Sequence, residues 1–149
     1  MIDATNAWRP PKAIRPLSIG LIRREGEILV MAVKDDRGCI KGWRPPGGGI
    51  EFGESAERTV VRELMEELGE TAVCRQCICV LENIYVHEGH PGHEVVFVFD
   101  VEFSEPSAYA TERYAYVDQG IANEVVWRNT REFIEGAEPL FPDGLHKYL

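Results

Sequence analysis

The sequence predicts a mixed sheet covered by helices, of class α/β or α+β, on three observations. Strand-length apolar runs stand before, between and after segments of helical period, the order expected when helices pack on a sheet. One segment, Ser55 to Leu68, is unambiguously helical. The length and composition, 149 residues with 44% apolar and 28% charged, suit one globular domain with a substantial core. Residues 1–149 are therefore expected to form a single domain, with 1–15 as an extended leader around the turn-prone Arg9-Pro10-Pro11.

The first two apolar runs, Leu17 to Ile22 and Ile28 to Val33, flank Arg23-Arg24-Glu25-Gly26-Glu27 and predict a hairpin with Gly26 in its turn. Lys34 to Gly38 is a polar loop. Trp43-Arg44-Pro45-Pro46-Gly47-Gly48-Gly49 is expected to lack regular structure, because two prolines and three glycines interrupt any period. In the helix, Ser55 is an N-cap, Glu57 complements the dipole, and Val60, Val61, Leu64, Met65 and Leu68 form an apolar stripe. Gly69 follows as a left-handed C-terminal cap.

Ala72 to Val86 and Glu94 to Phe103 read as strands, joined by a loop His87 to His93. Ser104 to Gly120 has no period and is expected to be a long mobile loop. Glu124 to Arg128 predicts a strand, Thr130 to Gly136 a short helix, and Pro142-Asp143-Gly144 the start of a terminal helix ending at Leu149.

Charge and patterning exclude several functions. With 16 Lys+Arg against 25 Asp+Glu the net charge is −9, which repels a nucleic-acid backbone but leaves small phosphorylated ligands open through a metal ion. No apolar stretch is long enough to span a membrane. The first twelve residues lack the order of a secretory signal, so a cytoplasmic location is expected. Cys74, Cys77 and Cys79 lie too close together for disulfides between separate elements. A zinc site shared with His87, His90 and His93 would need better-spaced pairs, and reduced strand thiols are the better reading.

The chemistry lies in Gly48 to Glu70. Glu63, Glu66 and Glu67 stand at i, i+3 and i+4, which places three carboxylates on one helical face. Alone, they describe a solvated acidic face as readily as a site for a hard cation such as Mg²⁺, which takes oxygen ligands. The glycines upstream shift that balance, since they let backbone approach a ligand closely. The stretch resembles the Nudix box of the Nudix hydrolases: Gly, five residues, Glu, seven residues, then Arg-Glu-aliphatic-any-Glu-Glu-any-Gly-aliphatic. Those positions are Gly48, Glu54, Arg62, Glu63, Leu64, Glu66, Glu67 and Gly69. Seven fixed identities at ordinary usage coincide about once in 10⁸ registers. One position departs, with Glu70 in the final aliphatic slot.

The resemblance implies an α/β/α sandwich with a central mixed sheet. It also implies metal-dependent hydrolysis, with Mg²⁺ or Mn²⁺, of a nucleoside diphosphate linked to another group. Glu63, Glu66 and Glu67, with Gly48, are then the metal ligands, and Arg62 orients them. The base that deprotonates water is Glu63 or Glu67, or an acid from a downstream loop, for which Glu124 and then Glu112 are candidates, followed by Asp118.

Arg44 beside the glycines is a candidate phosphate contact, with His93 of the histidine-rich loop and Tyr114 of the aromatic loop as further substrate contacts. A small nucleotide is the expected partner, and homodimerisation is open. Two other functions remain: a catalytically silent nucleotide-binding or sensing module, and a hydrolase of a non-nucleotide diphosphate. Nothing in the sequence names the substrate.

Overall fold

The computed structural model describes residues 7–118 and 120–149. Met1–Asn6 of the expected leader, and Gln119 of the expected loop, lie outside them. Two sheets form the middle of the molecule. One has the order β5 (Gly47–Gly49), β1 (Ile14–Leu21), β7 (His90–Phe103), β6 (Ala72–His87). The other runs β2 (Arg23–Arg24), β3 (Glu27–Lys34), β9 (Ile121–Asn129), β8 (Arg113–Asp118), with β4 (Ile40–Arg44) also paired to β3. The β1–β7 pair is parallel and the others antiparallel, so the first sheet is mixed and the second antiparallel throughout.

Alternation along the strands makes two cores. One side chain set (Phe99, Val101, Leu29, Met31, Val125, Trp127) packs under α1 (Ala56–Leu68) through Val60 and Leu64. The opposite set (Leu17, Ile19, Ile28, Val30, Val96, Val98) meets α2 (Thr130–Ile134) and the C-terminal segment through Phe133, Leu140 and Leu145. Helices thus cover both faces of the strands, the α/β/α arrangement.

Helix α1 is framed by local signals. The Ser55 hydroxyl accepts from the Arg58 amide at 3.2 Å. At the other end Gly69 takes the left-handed conformation, φ 70°, and its N–H donates to Met65 O at 2.9 Å.

Several expectations are corrected. The hairpin with Gly26 (φ 78°) in its turn is present but short: Arg23↔Ile28 and Arg24↔Glu27 pair across it and Leu29 N donates to Ile22 O at 3.1 Å, after which β1 joins one sheet and β3 the other. The stretch from Trp43 to Gly49 is irregular only at Pro45 and Pro46. Arg44 ends β4, and Gly47–Gly49 pairs with Leu17, Ser18 and Ile19 of β1. Gly47 sits at φ 151°, where an added Cβ would run into the Ser18 carbonyl and the Ile19 backbone. Only glycine brings the two backbones this close.

The histidine-rich loop is a two-residue turn, Glu88 (φ 48°) and Gly89 (φ 79°), with His87↔His90 paired across it. Two positive φ values match the twist of antiparallel strands. Ser104 to Gly120 contains a 3₁₀ turn, Pro106–Ala110, and strand β8. It is tied down by the Tyr109 hydroxyl on Phe103 N (the N–H donates, 2.9 Å) and by the Tyr114 hydroxyl donating to Ala108 O at 3.0 Å. The terminal helix is one 3₁₀ turn, Leu145–Tyr148. β1 begins at Ile14, inside the expected leader.

Candidate active site

The site is built where α1 runs beneath β5. Ser18 on β1 donates from its hydroxyl to Ala56 O at 2.7 Å, which pins the start of the helix to the sheet. Gly48, opposite Ser18, consequently faces the helix, and a Cβ there would occupy the position of the Glu63 carboxylate. The glycine is thus a cradle for that side chain.

Arg62 organises the acids. Its Nε and Nη2 donate to the two Glu54 oxygens at 2.7 and 2.9 Å, its Nη1 to Glu63 Oε1 at 2.9 Å, and its Nη2 to the Gly49 carbonyl at 3.1 Å. Glu66 stands more loosely at 3.3 Å, half in solvent. Glu54 also accepts from Thr59 Oγ1 at 2.6 Å. The bidentate Arg62 pair, then the Thr59 hydroxyl, hold the Glu54 carboxyl at about 2. Glu54 therefore closes the loop–helix junction, leaving Glu63 and Glu67 as the acids nearest the glycines.

Glu67 is the unusual group. Burial pushes its carboxyl up to about 8, opposed by the Arg44 guanidinium and the Gly47 N–H and reinforced by Glu63. Its Oε2 is buried with no hydrogen-bond partner. A buried, unpaired carboxylate oxygen is costly and commonly marks a functional position. Burial also raises Glu63, against the pull of Arg62.

Arg62 engages Glu63 and Glu66. Among the described residues no three acid, cysteine or histidine side chains stand as a ready-made ligand set. The donor chemistry nonetheless fits a hard divalent cation: carboxylate oxygens only, one of them buried and unpartnered, beside glycine backbone.

The structure brings Arg44 to this site and disperses other candidates. Arg44 extends from the end of β4, with Nε 3.3 Å from Met31 Sδ, and its charge acts on Glu67. Glu112 is held by Arg24 at 2.9 and 3.0 Å, and Arg24 in turn lies over the Trp127 ring. Glu124 pairs with Arg113 at 3.1 Å and lines a groove with Trp43 and Arg128 on the side away from α1. Asp118 is exposed at the end of β8. Tyr114 is buried with its hydroxyl committed to Ala108 O and 3.3 Å from Glu70. Its ring is a brace for the 3₁₀ turn.

His93 lies on β7 opposite Ile84. Its Nε2 is buried, 3.4 Å from Glu82 without the alignment of a hydrogen bond. The tyrosine of the aromatic loop that stands by Glu67 and Glu63 is Tyr116 on β8, not Tyr114. Its hydroxyl contacts Met31 Sδ at 3.5 Å, and burial, then Glu67, push its phenol up. Only the β8–β9 register brings it over the helix.

Comparisons with known proteins agree with this geometry. Residues 14–120 match the family model described as NUDIX domain. The nucleoside triphosphatase NudI of Escherichia coli O139:H28 (strain E24377A / ETEC) is 44% identical over 57 residues, covering 38% of this chain and 40% of that protein. The matched stretch is thus less than half of the relative's length.

Among solved structures, the MutT NUDIX hydrolase from Burkholderia pseudomallei superposes with a TM-score of 0.60, at 23% identity over 93% of this chain and 99% of that one. The NUDIX hydrolase from Nitrosomonas europaea gives 0.63, at 17% identity over 91% and 84%. These two likenesses show the fold. The match over 14–120 shows the family: the chain belongs to the Nudix hydrolases.

Proposed function

We infer that the protein hydrolyses a pyrophosphate bond in a nucleoside diphosphate linked to another moiety, using Mg²⁺ or Mn²⁺. The observation that carries this reading is the buried, unpartnered Glu67 Oε2 beside the glycine cradle of Glu63. Glu63, Glu66 and Glu67, with the Gly48 backbone, are the residues that would hold the cation. A bound divalent ion neutralises phosphate charge and acidifies water.

The chain's own residues do the rest. Arg62 fixes the Glu63 carboxylate, Glu67 accepts a proton at Oε2, and Arg44 binds phosphate oxygens at the mouth. The name of the matched NudI, a nucleoside triphosphatase, supports a nucleotide as substrate. The same reading takes residues 1–149 as one domain acting in the cytoplasm. Among the described residues no helix is long and apolar enough to cross a membrane.

The test is a product screen with Mg²⁺ and Mn²⁺ over nucleoside triphosphates, nucleotide sugars, ADP-ribose, dinucleoside polyphosphates and coenzyme A. Cleavage at a pyrophosphate bond of at least one class is expected. Silence across the panel would favour a binding module or a non-nucleotide diphosphate. Arg44→Ala is expected to raise KM about tenfold or more with a smaller change in kcat, because it removes one charge-assisted phosphate contact. Steady-state kinetics on the best substrate decides.

A further inference from the structure

The cross-strand row Arg15, Glu94, Asn83 lies on the face of β1–β7–β6 turned away from α1. Along that face the next row, Leu17, Val96 and Leu81, is apolar core. Here the core gives way to a carboxylate whose side chain is only 12% exposed. Its partners are few. Tyr85 donates to Oε1 at 3.0 Å, while the contacts from Arg15 to Oε1 and from Asn83 to Oε2 are long, 3.4 and 3.5 Å.

An ionised carboxylate accepts about four hydrogen bonds, so Oε2 in particular keeps spare capacity. Tyr85 is aimed by its own neighbour. Gly92 lies directly opposite it, and a Cβ at 92 would collide with the phenol ring.

The row is not remote from the active site. Ile50, just past the glycines, donates its N–H to Pro16 O at 3.0 Å, one residue from Arg15. β4 comes close to the end of this strand face: Lys41 Nζ stands 3.1 Å from His87 Nδ1, two positions beyond Tyr85. Arg44, at the other end of β4, acts electrostatically on both Glu67 and Tyr85. A ligand with its phosphates at Arg44 therefore has a second polar end available at Glu94.

We propose that Glu94, set by Tyr85 and flanked by Asn83 and Arg15, reads the nucleobase of the substrate and selects bases that carry an exocyclic amino group. This rests on the nucleotide-hydrolase reading above. An acceptor-only carboxylate takes N–H donors from adenine, cytosine or guanine and is repelled by the carbonyl oxygens that uracil and thymine present instead. A site built around such a contact rejects the analogue that lacks it, because the buried acceptor is left unpaired.

The test is equilibrium binding of CMP and UMP alongside kcat/KM for CTP and UTP, on wild type and Glu94→Gln. Wild type is expected to favour the cytosine ligand about tenfold or more, mainly in KM. Gln, which donates as well as accepts, should reduce that ratio to near one with kcat on CTP within about threefold. Tyr85→Phe keeps the ring over Gly92 and should lower the ratio severalfold, which covers the case in which Glu94→Gln does not fold.

Equal binding of CMP and UMP by wild type, or an unchanged ratio in a folded Glu94→Gln, overturns the proposal. CMP selectivity without hydrolysis of any triphosphate supports the subsite and counts instead against the hydrolase reading.

Discussion

Glu67→Gln is expected to lower turnover by about 10²–10⁴-fold, the range for removing a positioned base, while stabilising the metal-free protein at alkaline pH. The second half follows from linkage. In the unfolded chain Glu67 ionises near the ordinary value of about 4.3; in the fold, burial holds it at about 8. Between those values the folded state keeps a proton that the unfolded state has lost. Stability is therefore fully present below about pH 4 and falls as the pH rises towards 8. The loss is on the order of a few kcal/mol.

Glutamine carries no charge to desolvate, so the variant escapes that loss. Denaturant unfolding of both proteins at pH 5 and pH 9 without metal checks it. The variant should gain relative to wild type only at the higher pH. A constant difference would mean that the Glu67 charge is not buried.

Gly48→Ala should cost activity with little cost in stability. The new methyl would take the place of the Glu63 carboxyl, the mobile end of a side chain, and not of backbone. Glu63 can swing aside, so the change in unfolding free energy should stay within about 1 kcal/mol. The displaced carboxylate loses its position beside Arg62, and a shift of that kind costs about 10²-fold in rate. Gly47→Ala is the contrast. There the collision is with the Ser18 and Ile19 backbone, so the fold itself is strained. Thermal melts and kcat/KM on the two variants separate the cases.

What could be read from the sequence follows the range of the interactions. Helix α1 and both its caps were legible because Ser55, the apolar stripe and Gly69 act within a few residues. So was the placing of Glu63, Glu66 and Glu67 on one helical face.

Pairing between distant strands was not. The β1–β7 register joins Arg15 to Glu94, and no local period announces it. The strand Gly47–Gly49 carries no apolar alternation, and its partner lies thirty residues upstream in β1. The same blindness affected the acids. Glu112 and Glu124 looked free in a loop and at a strand start, yet Arg24 and Arg113 hold them once β8 and β9 pair. Glu94 escaped for the converse reason, since only the register shows what it faces, and the register alone picks Tyr116 from the three tyrosines of its loop.

The most direct test of the account is a Mn²⁺ titration followed by electron paramagnetic resonance, on wild type and Glu67→Gln at pH 8. If the α1 carboxylates hold the catalytic cation, wild type binds Mn²⁺ and the variant binds it at least about tenfold more weakly. Equal affinity in the two proteins would place the metal elsewhere and contradict the role given to Glu67.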